Sequence, residues 1–97
     1  MRYTWNPEKA ASNRVKHRVS FADAIAALED PNRVEEADDR FDYGEERLQI
    51  IGLAARGVLF VVTTMRGEDT CRIISARKAT PDEQRRYSGS RRDRDSW

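Results

Sequence analysis

Cysteine and histidine are almost missing from this sequence. Cys71 is the only cysteine and His17 the only histidine among 97 residues. One cysteine excludes an internal disulfide and fits a reducing compartment. One of each cannot assemble a typical zinc site. Any chemistry is therefore expected to run without a cofactor and without a metal held by those ligands. Long apolar runs are missing too. The densest stretches, Phe21–Leu28, Leu48–Ala54 and Val58–Val62, are far shorter than the ~20 residues a membrane-spanning helix needs. No signal-peptide pattern is read at the start, so the expectation is a cytoplasmic protein with no membrane association.

What the chain does have is charge. Charged residues make up 36% of it and hydrophobic residues 38%, so a thin core and an ionic surface are implied, in one domain. The formal net charge of +1 hides an uneven distribution. Residues 1–20 carry five Lys/Arg against one acid, residues 21–47 three against ten, and residues 66–97 nine against six. Such a chain can fold with one positive face able to attract phosphate or an acidic partner. A mixed, solvated surface explains the same totals.

Local signals set an order of elements. Arg2-Tyr3-Thr4-Trp5 is a short β-prone run. Asn6 caps a helix with Pro7 at its first position, running to about His17. Its polar stripe of Lys9, Asn13, Lys16 and His17 either faces solvent or lines a site. Ser20 opens a second helix, with Phe21, Ala24, Ile25 and Leu28 at helical spacing, and Asp30-Pro31 stops it. Arg33 to Ala37 reads as an acidic edge strand, and Asp38 to Glu45 as a polar loop. Arg47–Leu53, Val58–Met65 and Thr70–Ala76 form a three-stranded meander, turning at Arg56-Gly57 and at Arg66–Asp69. Thr80-Pro81-Asp82-Glu83 is a capping box that starts a short helix ending near Tyr87. Residues 88–97 alternate Arg and Asp without apolar periodicity and read as a disordered charged tail. The expectation is an α+β domain over residues 1–87. Its antiparallel sheet comprises a short N-terminal strand, an edge strand and the meander. Two N-terminal helices and a short C-terminal helix pack on one face of that sheet.

Three motifs then stand in order. They are Trp5-Asn6-Pro7-Glu8-Lys9 with Asn13 and Lys16-His17-Arg18-Val19-Ser20-Phe21; Gly44-Glu45-Glu46-Arg47 with Ile51-Gly52; and Arg72 to Thr80 followed by Glu83 and Tyr87. Together they resemble the signatures of the BrnT toxin family across about residues 3–87. Met65 departs from the polar or acidic residue frequent in relatives, and the basic tail is longer than expected. The resemblance implies a RelE-like fold and RNA cleavage that shuts down translation. It also implies a BrnA-like ribbon-helix-helix antitoxin, through which alone the pair would touch operator DNA.

Metal-free RNA cleavage needs a base for the 2′-OH, an acid for the leaving 5′-oxygen and cations for the phosphate oxygens. Arginine suits the last task, being permanently charged and bidentate. The candidates are Arg66 at a turn, Arg72 between apolar neighbours on the last strand, and Arg77 just past it. His17 is the first candidate for proton transfer, Lys16 its runner-up, and Tyr87 a further donor. Each has a structural alternative: a helix-dipole partner for His17, a packing residue for Tyr87. Glu46 and Arg47 read as salt-bridge partners, and Lys78 as surface charge or antitoxin contact. Tyr3 and Trp5 are expected to pack rather than stack bases, and Cys71 to fill the core. Two other functions compete. A catalytically degenerate module would serve mainly as the antitoxin's corepressor. An unrelated RNA-binding domain would show a basic sheet with exposed aromatics, and the apolar meander shows little of either.

Overall fold

The structure is a computed structural model that describes residues 1–38 and 45–95, the last six of these by backbone alone. The elements run β1 (Arg2–Thr4), α1 (Pro7–His17), α2 (Phe21–Leu28), β2 (Val34–Asp38), β3 (Arg47–Ala54), β4 (Gly57–Arg66), β5 (Thr70–Lys78) and α3 (Pro81–Asp95). Most of the expected loop between β2 and β3, Gly44 included, falls outside the described residues, as do Ser96 and Trp97.

Capping chemistry sets the helix starts. The Asn6 side chain accepts from the N–H groups of Glu8 and Lys9, and Ser20 Oγ accepts from Asp23 N–H. Thr80 and Glu83 close their capping box in both directions, Thr80 Oγ1 accepting from Glu83 N–H and Glu83 from Thr80 N–H. Each bond satisfies an amide that the first helical turn leaves without a partner.

The five strands lie in the order β1-β5-β4-β3-β2. The meander is antiparallel, with Ile51 opposite Phe60 and Val61 opposite Ala76. β1 departs from the expectation: it pairs parallel to β5, Tyr3 opposite Cys71, so the sheet is mixed. Three residues with no partner pattern of their own carry no directional information, and the crossover through α1 and α2 decides it.

The placement of the helices also corrects the sequence reading. They cover both faces of the sheet. α1 and α2 enclose one cluster built on Phe21, Ala24, Ala27, Ile50, Leu59, Val61 and Ile73. α3 covers part of the other face through Tyr87, with Ala79 just before it, against Ile51, Phe60 and Val62. The cause is in β3 and β4. Consecutive apolar residues, Ile50-Ile51 and Phe60-Val61-Val62, point to opposite faces, and both must leave water. α3 is longer than the short helix expected to end near Tyr87, running for 15 residues to Asp95. Beyond Tyr87 the helix is already nucleated and docked, three arginines favour its continuation, and no proline interrupts it.

α2 crosses directly over Gly52. A Cβ at that position would lie 2.1 Å from the Ala27 carbonyl oxygen. A hydrogen at Gly52 is what lets helix and sheet approach this closely.

Candidate functional site

The site is organised by β5. Opposite Val62–Thr63 the register shifts: Val62 faces Ser75 and Thr63 faces Ile73, which leaves Ile74 as an extra residue. Such a bulge re-aims the side chains around it and is common beside functional sites. β1 covers β5 only as far as Arg72. Beyond that point α1 takes over the edge, and Asn13 acts as its contact. Asn13 Oδ1 accepts from Ala76 N–H at 3.2 Å. Its Nδ2 donates to the carbonyls of Ala76 at 2.8 Å and Val19 at 3.0 Å. This buried amide does for β5 what a paired strand would do. The sequence showed Asn13 only as part of a polar stripe, and its true place depends on a contact 63 residues away.

An open groove of about 790 Å³ follows, with Lys9, Ser12, Lys16 and His17 of α1 on one side and Ile74 and Ser75 of the bulge on the other. Lys16 is exposed and His17 partly so, at the negative end of the α1 dipole. Arg72 is partly buried, opposite Thr64. Strand alternation carries β4 from Phe60 and Val62 to Thr64 and Arg66 on one face. Arg66, Arg72 and Arg77 therefore share the face that α3 only partly covers. Among the described residues, the side chains of Lys16, His17 and Arg72 enter no hydrogen bond or ion pair.

The remaining candidates are occupied. Arg66 pairs with Glu45 at 3.1 Å, with 54% of its side chain exposed. Arg77 forms a fork with Glu83, at 2.8 and 3.0 Å, and its guanidinium lies 4.2 Å from the Phe60 ring centroid. Burial pushes the Glu83 carboxyl up, but the Arg77 fork and the Thr80 bonds outweigh it and hold it below the usual carboxylate range. Tyr87 is buried, and its hydroxyl donates to Asp30 at 2.6 Å. Asp30 also accepts from the N–H groups of Leu53 and Asn32. Burial again acts upward on the carboxyl, and the bonds from Tyr87, Leu53 and Asn32 with the nearby Arg33 charge lower it overall. Arg77 and Tyr87 thus fasten α3 to the sheet and to the end of α2. The sequence showed Asp30 as a helix stop and gave no sign that it anchors α3.

The packing expectations can be placed in the same way. Trp5 meets Phe21 edge-on at 6.0 Å between centroids. Tyr3 donates to Glu29, and burial together with that carboxylate pushes its hydroxyl up to about 12. Cys71 is buried, and desolvation raises its thiol, which keeps it protonated and inert. Arg47 lies 3.6 Å from Glu45, while the Glu46 carbonyl accepts from Thr64. Among the described residues, no three His, Cys, Asp or Glu side chains group as metal ligands. No described helix is long and apolar enough to cross a membrane.

Comparison with known proteins identifies the family. The profile of the family described as the ribonuclease toxin BrnT of type II toxin-antitoxin systems matches residues 5–83. Among solved structures, the ribonuclease toxin BrnT of Brucella abortus superposes with a TM-score of 0.61. It is 24% identical, over 82% of this chain and 97% of that one, a likeness of fold. No curated protein matches the chain. The family profile spans α1 to the start of α3 and includes the groove, the bulge and Arg72, and so this chain belongs to the BrnT family of ribonuclease toxins of type II toxin-antitoxin systems.

Proposed function

We propose that the chain is a RelE-like, metal-independent endoribonuclease whose site is the groove between α1 and the bulge of β5. The observation that carries this reading is a pair of side chains without partners, Lys16 and His17, lining that groove, with Arg72 likewise unpaired on β5 two residues before the bulge residue Ile74. A phosphodiester drawn onto this face would meet Arg72, whose guanidinium neutralises the non-bridging oxygens as charge grows in the transition state. His17, with Lys16 beside it, takes the proton from the 2′-OH. That oxygen attacks phosphorus, the bond to the 5′-oxygen breaks, and the departing oxygen receives a proton. The products are a 2′,3′-cyclic phosphate and a 5′-OH end. Metal independence rests on composition, since one histidine and one cysteine supply no transition-metal ligand set.

Arg66 adds charge at the far end of the face. Arg77 and Tyr87 act by holding α3, because their polar atoms are already bound within the protein. That occupancy also favours a second reading, in which the chain is catalytically degenerate and serves mainly as a corepressor. The partner in either case is a BrnA-like ribbon-helix-helix antitoxin, with operator DNA reached only through it. The cytoplasm is the proposed compartment and translation the proposed target. The deciding experiment is cleavage of a single-stranded RNA by the purified chain in the presence of a chelator. New 5′-OH ends from the wild type and none from Arg72→Ala support the site. Equal cleavage by both would sink it.

A further inference from the structure

A second basic feature lies on the α2 side of the sheet. Where the α1–α2 junction meets the β3–β4 turn there is a hollow of about 360 Å³. Its floor is apolar, formed by Ala22 and Ala26 of α2, Ala54 at the end of β3 and Leu59 of β4. The short alanine side chains leave the space open. Three cations stand around it: Arg18, Arg56 and Lys78. Arg18 caps α1 in the left-handed region at φ 58, and Arg56 is in the hairpin turn. Lys78 pairs with Leu59 at the end of β5, on the face opposite Arg77. All three are exposed, and among the described residues none enters a hydrogen bond or ion pair through its side chain. Asp23 is the one acid beside them. Three cations against one acid leave an uncompensated positive rim over an apolar floor. Nothing in the RNA-cleaving arrangement uses it.

We propose that this hollow is an anchoring site for the antitoxin, distinct from the RNA groove. It would take an acidic segment that places one large apolar side chain on the alanine floor and carboxylates against Arg18, Arg56 and Lys78. Charge complementarity selects that occupant. The apolar floor selects it too, because an apolar anchor ringed by polar contacts is how affinity concentrates in protein interfaces. RNA fits less well, since no aromatic side chain lines the hollow to stack a base. The inference rests on the toxin-antitoxin reading and adds a surface to it. An antitoxin held here grips the protein without needing the catalytic face.

The test uses the full chain and its proposed BrnA-like antitoxin, with binding followed by calorimetry at two salt concentrations. Three proteins are compared: wild type, an Arg56→Glu Lys78→Glu double variant that reverses the rim, and Ala26→Trp, which fills the hollow. The rim variant is expected to bind about 100-fold more weakly, with a smaller salt dependence, and Ala26→Trp about tenfold more weakly. RNA cleavage by all three is expected to match, which also shows that the variants fold. Unchanged antitoxin affinity in both variants overturns the proposal, as does a loss of RNA cleavage parallel to the loss of binding. If wild type itself fails to bind the antitoxin, the toxin-antitoxin reading falls as well, a result distinct from variants that bind as wild type does.

Discussion

Replacing Gly52 by alanine tests the packing on which the whole arrangement depends. An added Cβ would stand 2.1 Å from the Ala27 carbonyl oxygen, 2.8 Å from its carbonyl carbon and 3.0 Å from its Cα. All three atoms are backbone, so no rotamer change relieves the contact. A carbon and a carbonyl oxygen approach to about 3.3 Å at closest, so α2 must lift by roughly 1.2 Å. That movement pulls Phe21, Ala24 and Ala27 off Ile50 and Val61, all of them buried. Overpacking costs typically ~1–3 kcal/mol, and a contact that moves a helix belongs at the top of that range. Alanine also narrows the unfolded ensemble, a gain of about 0.7 kcal/mol. The clash wins, leaving a net loss of about 2 kcal/mol, or a fall in melting temperature of roughly 8–16 °C for a domain of this size. Circular-dichroism melts and urea titrations measure it. Gly89→Ala provides the contrast, because a Cβ there meets nothing within 4 Å and alanine in a helix gains up to about 1 kcal/mol. A Gly52→Ala protein as stable as wild type would refute the close crossing of α2.

Other perturbations separate support from chemistry. Asn13→Ala leaves the Ala76 amide and carbonyl buried without their partner, and a loss of about 3 kcal/mol is expected in urea titration. Tyr87→Phe removes the donor that reaches Asp30 and should cost about 1.5 kcal/mol, with antitoxin binding through the α1–α2 side retained. Asp30 and Glu83 both sit below their ordinary values of 3.8 and 4.5. The stability they contribute is therefore present above those values and lost as pH falls through the lower folded ones. The urea midpoint should drop on acidification below about pH 4, less steeply in an Asp30→Asn protein. Arg77→Ala strands a Glu83 side chain that is 12% exposed, and after discounting for the partly exposed arginine it should cost about 1–2 kcal/mol. Arg72→Ala should leave the melting temperature unchanged while lowering RNA cleavage about 100-fold. A change in stability as large as that of Arg77→Ala would move Arg72 out of the site.

Much of the fold was legible where a local rule has one outcome. Asn6-Pro7, Ser20 and Thr80-Pro81 mark helix starts through bonds within three residues, and all three helices begin there. The alternation in β3 to β5 likewise placed the meander. What escaped depends on contacts remote in sequence. The double-faced apolar runs Ile50-Ile51 and Phe60-Val61-Val62 announce a sheet covered on both sides, yet they do not say which helix covers the second face. The direction of β1 is set by its crossover rather than by its three residues. Of the candidate site, the charged residues could be named, but composition cannot tell an arginine whose side chain has no partner in the fold from one already holding a carboxylate. Arg72 and Arg77 are five residues apart on one strand and differ in this respect, because Glu83 comes within reach only once α3 folds back. Asn13 and Asp30 were hidden for the same reason.

The most direct test of the central claim is to induce the chain alone in a bacterial host beside its Arg72→Ala variant, following growth and mapping RNA 5′ ends. The account predicts arrest with new 5′-OH ends from wild type, and continued growth without them from an equally abundant, folded Arg72→Ala protein. Arrest and the same RNA ends from both would contradict the site. Soluble, abundant wild type that causes neither arrest nor new ends would contradict the ribonuclease mechanism and favour the corepressor.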